Sequence, residues 1–312
     1  MIRKTVLILG EKYIFTSIDK EKLKNYHFHL ISIKYNSKNT KQAIKEIKKT
    51  LKKEKNIFLV LNAKEKLTES LISYLNNIHI KGVAIIPIEE FVEKYLHKLY
   101  IPKYNENVYY LSYLKPYNKS QHFIKRVIDF SIAIPLAILS TPILIYSAYR
   151  IKKESPDGPI LFKQKRVGKN GKEFVCYKFR SMKTDIDFFQ HYTQENDPRI
   201  FPWGRIMRKT RIDEIPQLIN VFRGEMHLIG PRAEWNELGR KYEKAIPFYT
   251  ERYLVPPGIT GWAQINYPYG RNLEDTYQKL TYDLYYIKNW SIWLEIKTIL
   301  KTIVVMVKGK GL

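Results

Sequence analysis

Cysteine is nearly absent from this chain: among 312 residues only Cys176 carries a thiol. No intrachain disulfide can form, which fits a reducing compartment. With no motif around it, Cys176 reads as an ordinary buried thiol rather than a nucleophile. The seven histidines include no HExxH pattern and no paired Cys/His spacing. His27 and His29 alternate in a strand-like run, where a structural role is expected and a zinc site is not. The amino terminus, Met1-Ile2-Arg3-Lys4, leads into an apolar run of strand length only. The longer apolar core and the small-residue cleavage site of a signal peptide are both missing. There is no internal repeat, and no low-complexity tract beyond lysine richness. Acidic residues are scarce, 30 Asp and Glu against 54 Lys and Arg, for a formal net charge of +24. A field of that sign favours nucleic acid, anionic lipid or phosphorylated small molecules, and charge alone does not choose among them. The absence of any zinc-finger, RRM or helix-turn-helix signature argues against a nucleic-acid partner.

What is present divides in two. Residues 1–103 alternate strand-like runs (5–9, 28–34, 57–61, 82–87) with helical spacing over 40–53, 66–76 and 89–97. That alternation predicts a small parallel α/β domain. Its first strand ends in Leu9-Gly10-Glu11-Lys12, one glycine where a dinucleotide fingerprint needs three, which gives nucleotide binding little support. A soluble dinucleotide-dependent sugar-modifying enzyme is the alternative this half suggests. Residues 104–120, polar and rich in tyrosine, read as a linker to a second domain over 121–312.

That second domain opens with twenty uncharged residues, 130–149, long enough to span a membrane. Basic residues mark the cytoplasmic side, yet here Lys125 and Arg126 precede the run while Arg150, Lys152 and Lys153 follow it. Pro135 and Pro142 favour a bend, and Ser140 and Thr141 can bond the carbonyls a bend frees. A helix over about 122–152 that enters, kinks near Ser140-Thr141-Pro142 and returns satisfies both facts; a buried core helix and a straight span stay open. Near the carboxyl end, residues 282–307 mix Tyr285, Tyr286, Trp290 and Trp293 with lysines beside an apolar face. That composition suits a helix lying in the headgroup layer, or an ordinary packed amphipathic helix.

Chemistry concentrates at 205–217. Four cations, Arg205, Arg208, Lys209 and Arg211, lead into Asp213-Glu214, followed by Pro216. Pro216 suits a first helical turn, so a helix is expected to start near Asp213, offering N–H groups to a phosphate. The arginines are expected to depress the Asp213 pKa and keep it ionised as nucleophile or metal ligand. The plainer alternative makes Asp213 a helix cap and Glu214 half of an ion pair. A basic run over 162–168 ends in a turn glycine. Lys178 and Arg180 alternate, so one strand face would carry both. Gly230-Pro231-Arg232 puts an arginine after a turn, and 256–264 is a glycine-punctuated loop bearing Trp262. Together these suggest phosphoryl chemistry, which needs charge neutralisation above all.

These residues carry a resemblance. Lys125-Arg126 through Asp129, 177–182, 213–218, 230–232, 257–264 and 282–289 occur in the order found in the bacterial monotopic phosphoglycosyl transferases, which the stretch 121–312 resembles closely. It looks nearest to the exopolysaccharide-priming branch, sharing Asn266-Tyr267-Pro268-Tyr269-Gly270. The resemblance implies an α/β Rossmann-like N-terminal unit followed by an α+β transferase domain with a re-entrant membrane helix and interfacial amphipathic helices. It implies a UDP-sugar donor, a polyprenyl phosphate acceptor such as undecaprenyl phosphate, and membrane lipids as partners. A homodimer is compatible with it. The location implied is the cytoplasmic face of a bacterial inner membrane. Asp213 would be the nucleophile, with Glu214 beside it and Mg²⁺ held by Glu214 and Asp213. Lys178, Arg180, Arg208, Arg232 and Asp283 would bind substrate, and Lys125 and Arg126 lipid headgroups. The Ser-Pro break of the family's helix is here Thr141-Pro142, preceded by Ser140. The four spans that open the commoner long members are absent from this sequence.

Overall fold

The computed structural model describes residues 4–54, 56–102, 113–184, 197–268, 270 and 272–307. They fall into two compact units, 1–100 and 101–312. The first contains β1 (Lys4–Leu9), α1 (Ser17–Lys24), β2 (Phe28–Ile33), α2 (Thr40–Lys53), β3 (Ile57–Leu61), α3 (Glu69–Ile80), β4 (Ala84–Pro87) and α4 (Ile88–Phe91), which runs on into a π-helical turn, Val92–Leu96. The strands form one parallel sheet in the order β2-β1-β3-β4. Period-two alternation sends Leu7, Leu9 and Leu59 to one face, against Ala43 and Ile47 of α2 and Leu71 and Leu75 of α3. Val6, Ile8 and Val60 go to the other, against Leu23 of α1 and Phe91 of α4. Helices thus cover both faces, as buried parallel strands require. Helix α1 was not expected from its apolar spacing. Its signal is a capping box, in which Thr16 Oγ1 accepts from Asp19 N and Asp19 Oδ2 accepts from Thr16 N.

The mouth between β1 and β3, where strand order reverses, is where open α/β sheets take ligands. Here the chain fills it. Gly10 has φ +99°, and a Cβ there would come within 2.6 Å of the Asn62 carbonyl oxygen. The buried Asn62 amide donates to the carbonyls of Gly10 (3.1 Å) and Tyr13 (3.0 Å) and accepts from Tyr13 N (2.7 Å).

The second unit begins with the 36-residue helix α5 (Lys119–Glu154), which stays helical through Pro135 and Pro142. Its buried positions, Lys125, Asp129, Ala133, Ser140, Ser147 and Ile151, follow helical spacing along one side. Phe123, Val127, Ile134, Ile138, Leu139, Ile145 and Tyr149 face outward. The helix is long and apolar enough to cross a membrane. The hydroxyls of Ser140 (3.2 Å) and Thr141 (2.9 Å) both donate to the Ala137 carbonyl, one residue before the carbonyl that Pro142 leaves without its helical donor.

A hairpin follows, β5 (Leu161–Val167) against β6 (Glu173–Phe179), then α6 (Pro202–Thr210), a 3₁₀ turn (Ile212–Gln217) and α7 (Leu218–Phe222). Strands β7 (His227–Ile229) and β8 (Gly258–Thr260) pair in parallel, with α8 (Asn236–Ala245) between them. Helices α9 (Trp262–Asn266), α10 (Leu273–Lys288) and α11 (Ile292–Val307) complete the unit. On α11, Ile292, Ile296, Leu300, Ile303 and Val304 form an exposed apolar row at helical spacing.

The base of α5 corrects one expectation. Lys125 does not reach for lipid headgroups: it is wholly buried, 2.7 Å from Glu295 of α11 and 3.5 Å from Asp129. A buried ammonium persists only with such partners. Asp129 also pairs with His227 and accepts from Leu228 N at 3.0 Å, while Trp290 Nε1 donates to Glu295 at 2.9 Å. Burial pushes His227 down to about 4, so it sits there as the neutral ring. Arg126 turns inward as well, donating to the Val221 and Phe222 carbonyls (2.7 and 3.3 Å) that end α7.

Candidate active site

The dyad stands where three elements meet. Ile151 of α5, Phe179 of β6 and Phe201, Trp203 and Met207 around α6 form a core against which Ile212 packs. Gly204 allows α6 to lie close to the chain after β6, since a Cβ there would fall 2.3 Å from the Ser181 carbonyl oxygen. At Arg211 the backbone turns left-handed (φ 61°), a conformation costing a non-glycine residue roughly 1 kcal/mol or more. That reversal carries the chain from α6 into the 3₁₀ turn bearing Asp213 and Glu214. The expected helix start is therefore displaced: Asp213 lies on a 3₁₀ turn, and α7 begins only at Leu218, beyond Pro216. Asn220 of α7 fixes β6 alongside, donating to the Val175 carbonyl (2.7 Å) and accepting from Tyr177 N (3.2 Å). Lys178, next along β6, is thereby aimed at the dyad.

Lys178 Nζ lies 2.7 Å from Glu214 Oε1, with Arg211 at 3.6 Å and Arg232 at 3.8 Å from the same oxygen. Burial works to raise the Glu214 pKa, but these cations together hold it well below the usual carboxylate range. Asp213 behaves oppositely. Burial pushes its pKa up and the Glu214 charge adds to that, while Lys178, Arg208 and Arg211 recover only part. The expectation that arginines would depress this group is thus corrected, because desolvation outweighs them. Asp213 Oδ1 is buried with no hydrogen-bond partner among the described residues, an expensive state for a carboxylate oxygen and one that calls for a reason.

Of the other residues singled out from sequence, Arg208 and Arg232 belong to this field. Arg180 does not. β6 ends at Phe179, so Lys178 and Arg180 do not act from one strand face. The buried Arg180 guanidinium donates to the Pro159 carbonyl (2.7 Å) and to Ser155 Oγ and O (both 2.5 Å), latching the end of α5. Asp283 is also withdrawn, paired at 2.9 Å with Arg252 and pushed up to about 6 by burial. Arg252 had drawn no attention in the sequence. It donates 2.8 Å to the Arg232 carbonyl, fixing the turn that delivers Arg232 to Glu214. Arg166, in the basic run 162–168, is half-buried and donates to the Ala233 carbonyl at 2.5 Å, bracing the same turn. Gly258 permits the crossing beneath it, since a Cβ there would meet Gly230 N at 2.1 Å. Among the described residues no three His, Cys, Asp or Glu side chains gather as a metal cluster.

The arrangement defines a class in chemical terms: a carboxylate pair ringed by cations that can receive an anion, on a domain with an outward-facing apolar helix. Comparison makes the assignment specific. A family model described as bacterial sugar transferase matches residues 120–309, and the chain belongs to that family. It is 44% identical over 192 residues to a UDP-N-acetylgalactosamine-undecaprenyl-phosphate N-acetylgalactosaminephosphotransferase of Aeromonas hydrophila, covering 61% of this chain and 45% of that protein. It is 39% identical over 194 residues to a UDP-glucose:undecaprenyl-phosphate glucose-1-phosphate transferase of Escherichia coli, covering 61% and 42%. The chain thus spans less than half the length of these two relatives. The exopolysaccharide production protein PSS of Rhizobium leguminosarum is 40% identical over 197 residues, 60% of this chain and 98% of its own length.

Proposed function

We propose that this chain transfers a sugar 1-phosphate from a UDP-sugar to undecaprenyl or another polyprenyl phosphate at the cytoplasmic face of a bacterial inner membrane. The observation that carries the reading is Asp213 Oδ1, a buried oxygen without a hydrogen-bond partner among the described residues, inside a ring of cations. Such an oxygen is poised to bond to phosphorus. In the first step it attacks the phosphorus attached to the sugar. The bond to the bridging oxygen breaks, UMP leaves with that oxygen, and a phospho-sugar stays on Asp213. In the second, an oxygen of the lipid phosphate attacks the same phosphorus and Asp213 leaves as carboxylate, giving a diphosphate-linked lipid. Splitting one displacement into two is covalent catalysis. Lys178, Arg208, Arg211 and Arg232 hold the phosphoryl oxygens and spread the developing charge.

Two adjacent carboxylates with substrate phosphates make an oxygen set of the kind Mg²⁺ takes, so the donor chemistry of the residues fits that ion. Asp213 and Glu214 would hold it, and it would neutralise diphosphate charge. Helix α5 is read as re-entrant, supported by basic residues at both ends and by two prolines with hydroxyl groups beside the second. The exposed rows of α5 and α11 supply the lipid-facing surface. The N-terminal unit is read as a degenerate nucleotide-binding-like fold, its ligand mouth filled by Asn62.

A panel of UDP-sugars assayed for UMP release, with undecaprenyl phosphate and Mg²⁺, tests the reaction and names the sugar. Radiolabelled donor without lipid acceptor should leave label on Asp213, and a label-free protein overturns the two-step mechanism. Cysteine labelling at the two ends of α5 from one side only supports re-entry; labelling from opposite sides refutes it.

A further inference from the structure

Helix α2 turns a face of lysine outward. It buries Ala43 and Ile47 against the sheet. Lys41, Lys45, Lys48 and Lys52 recur every three or four residues and so stand in one row, with Lys49 and Lys53 flanking it. All six are exposed. Lys48 lies 5.4 Å over the Tyr74 ring, but Lys41, Lys45, Lys49, Lys52 and Lys53 have no ion pair among the described residues. The one acid on the helix, Glu46, accepts from Gln42 at 3.0 Å. Like charges at this spacing oppose helix formation; the helix dipole favours only Lys52 and Lys53, in the last turn, and Glu46 is a single acid against six lysines. The row therefore calls for a polyanion from outside.

The chemistry of the row selects which one. Residues 4–100 contain no arginine and α2 no aromatic residue. Base edges and bidentate phosphates are read by arginine, and unpaired bases stack on aromatic rings. A file of ammonium groups instead suits a diffuse array of headgroup phosphates. Eighteen residues separate Tyr100 from Lys119 at the head of α5, which keeps Tyr100 within about 60 Å of a lipid surface holding α5. We propose that the lysine face of α2 docks on an anionic lipid surface. This rests on the membrane location read from α5 and not on the transfer reaction.

The test uses the full chain in lipid nanodiscs. Gln42 is exposed on α2, and Cys176 is buried, so Gln42→Cys provides the accessible thiol for a dye. Energy transfer to a headgroup dye is compared in phosphatidylcholine discs and in discs containing phosphatidylglycerol. The expected result is strong transfer only with the anionic lipid, falling as added salt shortens the screening length to about 4 Å. Replacing Lys41, Lys45, Lys48 and Lys52 together by Gln should return transfer to the zwitterionic level, each lysine lost weakening the attraction roughly fivefold. Equal transfer in both discs, or transfer indifferent to the four substitutions, overturns the proposal. So does capture of single- or double-stranded RNA by the row in preference to the anionic disc. A protein that docks in this way yet releases no UMP would defeat the proposed reaction and leave the lysine face standing.

Discussion

Nineteen lysines and a single arginine, Arg3, lie in residues 1–100, whereas thirteen of the fourteen arginines in the chain follow Lys125. The lysines of α2 are exposed and have no ion pairs among the described residues. In the transferase unit three cations turn inward: Lys125 meets two carboxylates, Arg180 three acceptors on Ser155 and Pro159, Arg252 the Asp283 carboxylate and the Arg232 carbonyl. Net charge therefore describes two different devices. Exposed ammonium groups act at a distance and yield to salt; buried guanidinium groups act through fixed geometry, with little screening.

The contrast breaks first at the dyad. Asp213→Asn is expected to lower UMP release at least about a thousandfold while membrane association persists, checked by nucleotide assay and flotation; undiminished turnover removes the nucleophile. Lys178→Met comes next, with a loss on the order of a hundredfold. It also has a signed pH effect. The Asp213 pKa is raised and its carboxylate is the reacting form, so UMP release falls as pH drops through that raised value. Removing Lys178, which lowers that pKa, must move the acid limb upward; a downward shift contradicts the assignment.

Arg252→Ala should cost about tenfold in kcat, and in an Arg232→Ala background it should cost almost nothing further. Full additivity would mean that Arg252 does not act through Arg232. For stability, Lys125→Met should destabilise by about 3–5 kcal/mol in chemical denaturation, because Glu295 and Asp129 are left buried and charged. Lys45→Met, on the open face of α2, should change it by no more than about 0.5 kcal/mol.

The parallel unit was legible where periodicity is strong: α2 and β3 fall on the residues expected, and β1, β2 and β4 within two of them. Helix α1 was missed because its signal is a cap and not an apolar period. At the site, sequence order pointed to Asp213, Glu214, Lys178 and Arg232, but not to which charges are expended internally. Arg180 and Lys178 look alike two residues apart, and they diverge only because β6 stops between them. Lys125 and Arg126 look like a membrane flank, yet Lys125 is neutralised by a residue 170 positions away. No local pattern reveals such a partner. Nor could spacing show that desolvation at Asp213 exceeds the pull of its cations.

That distant partner bears on how the protein is made. Glu295 leaves the ribosome long after Lys125, so until α11 is made the base of α5 carries an ammonium group without its closest counter-ion. The long apolar helix is sealed into the domain only when α11 arrives, so a helix translated later in the chain completes one begun much earlier.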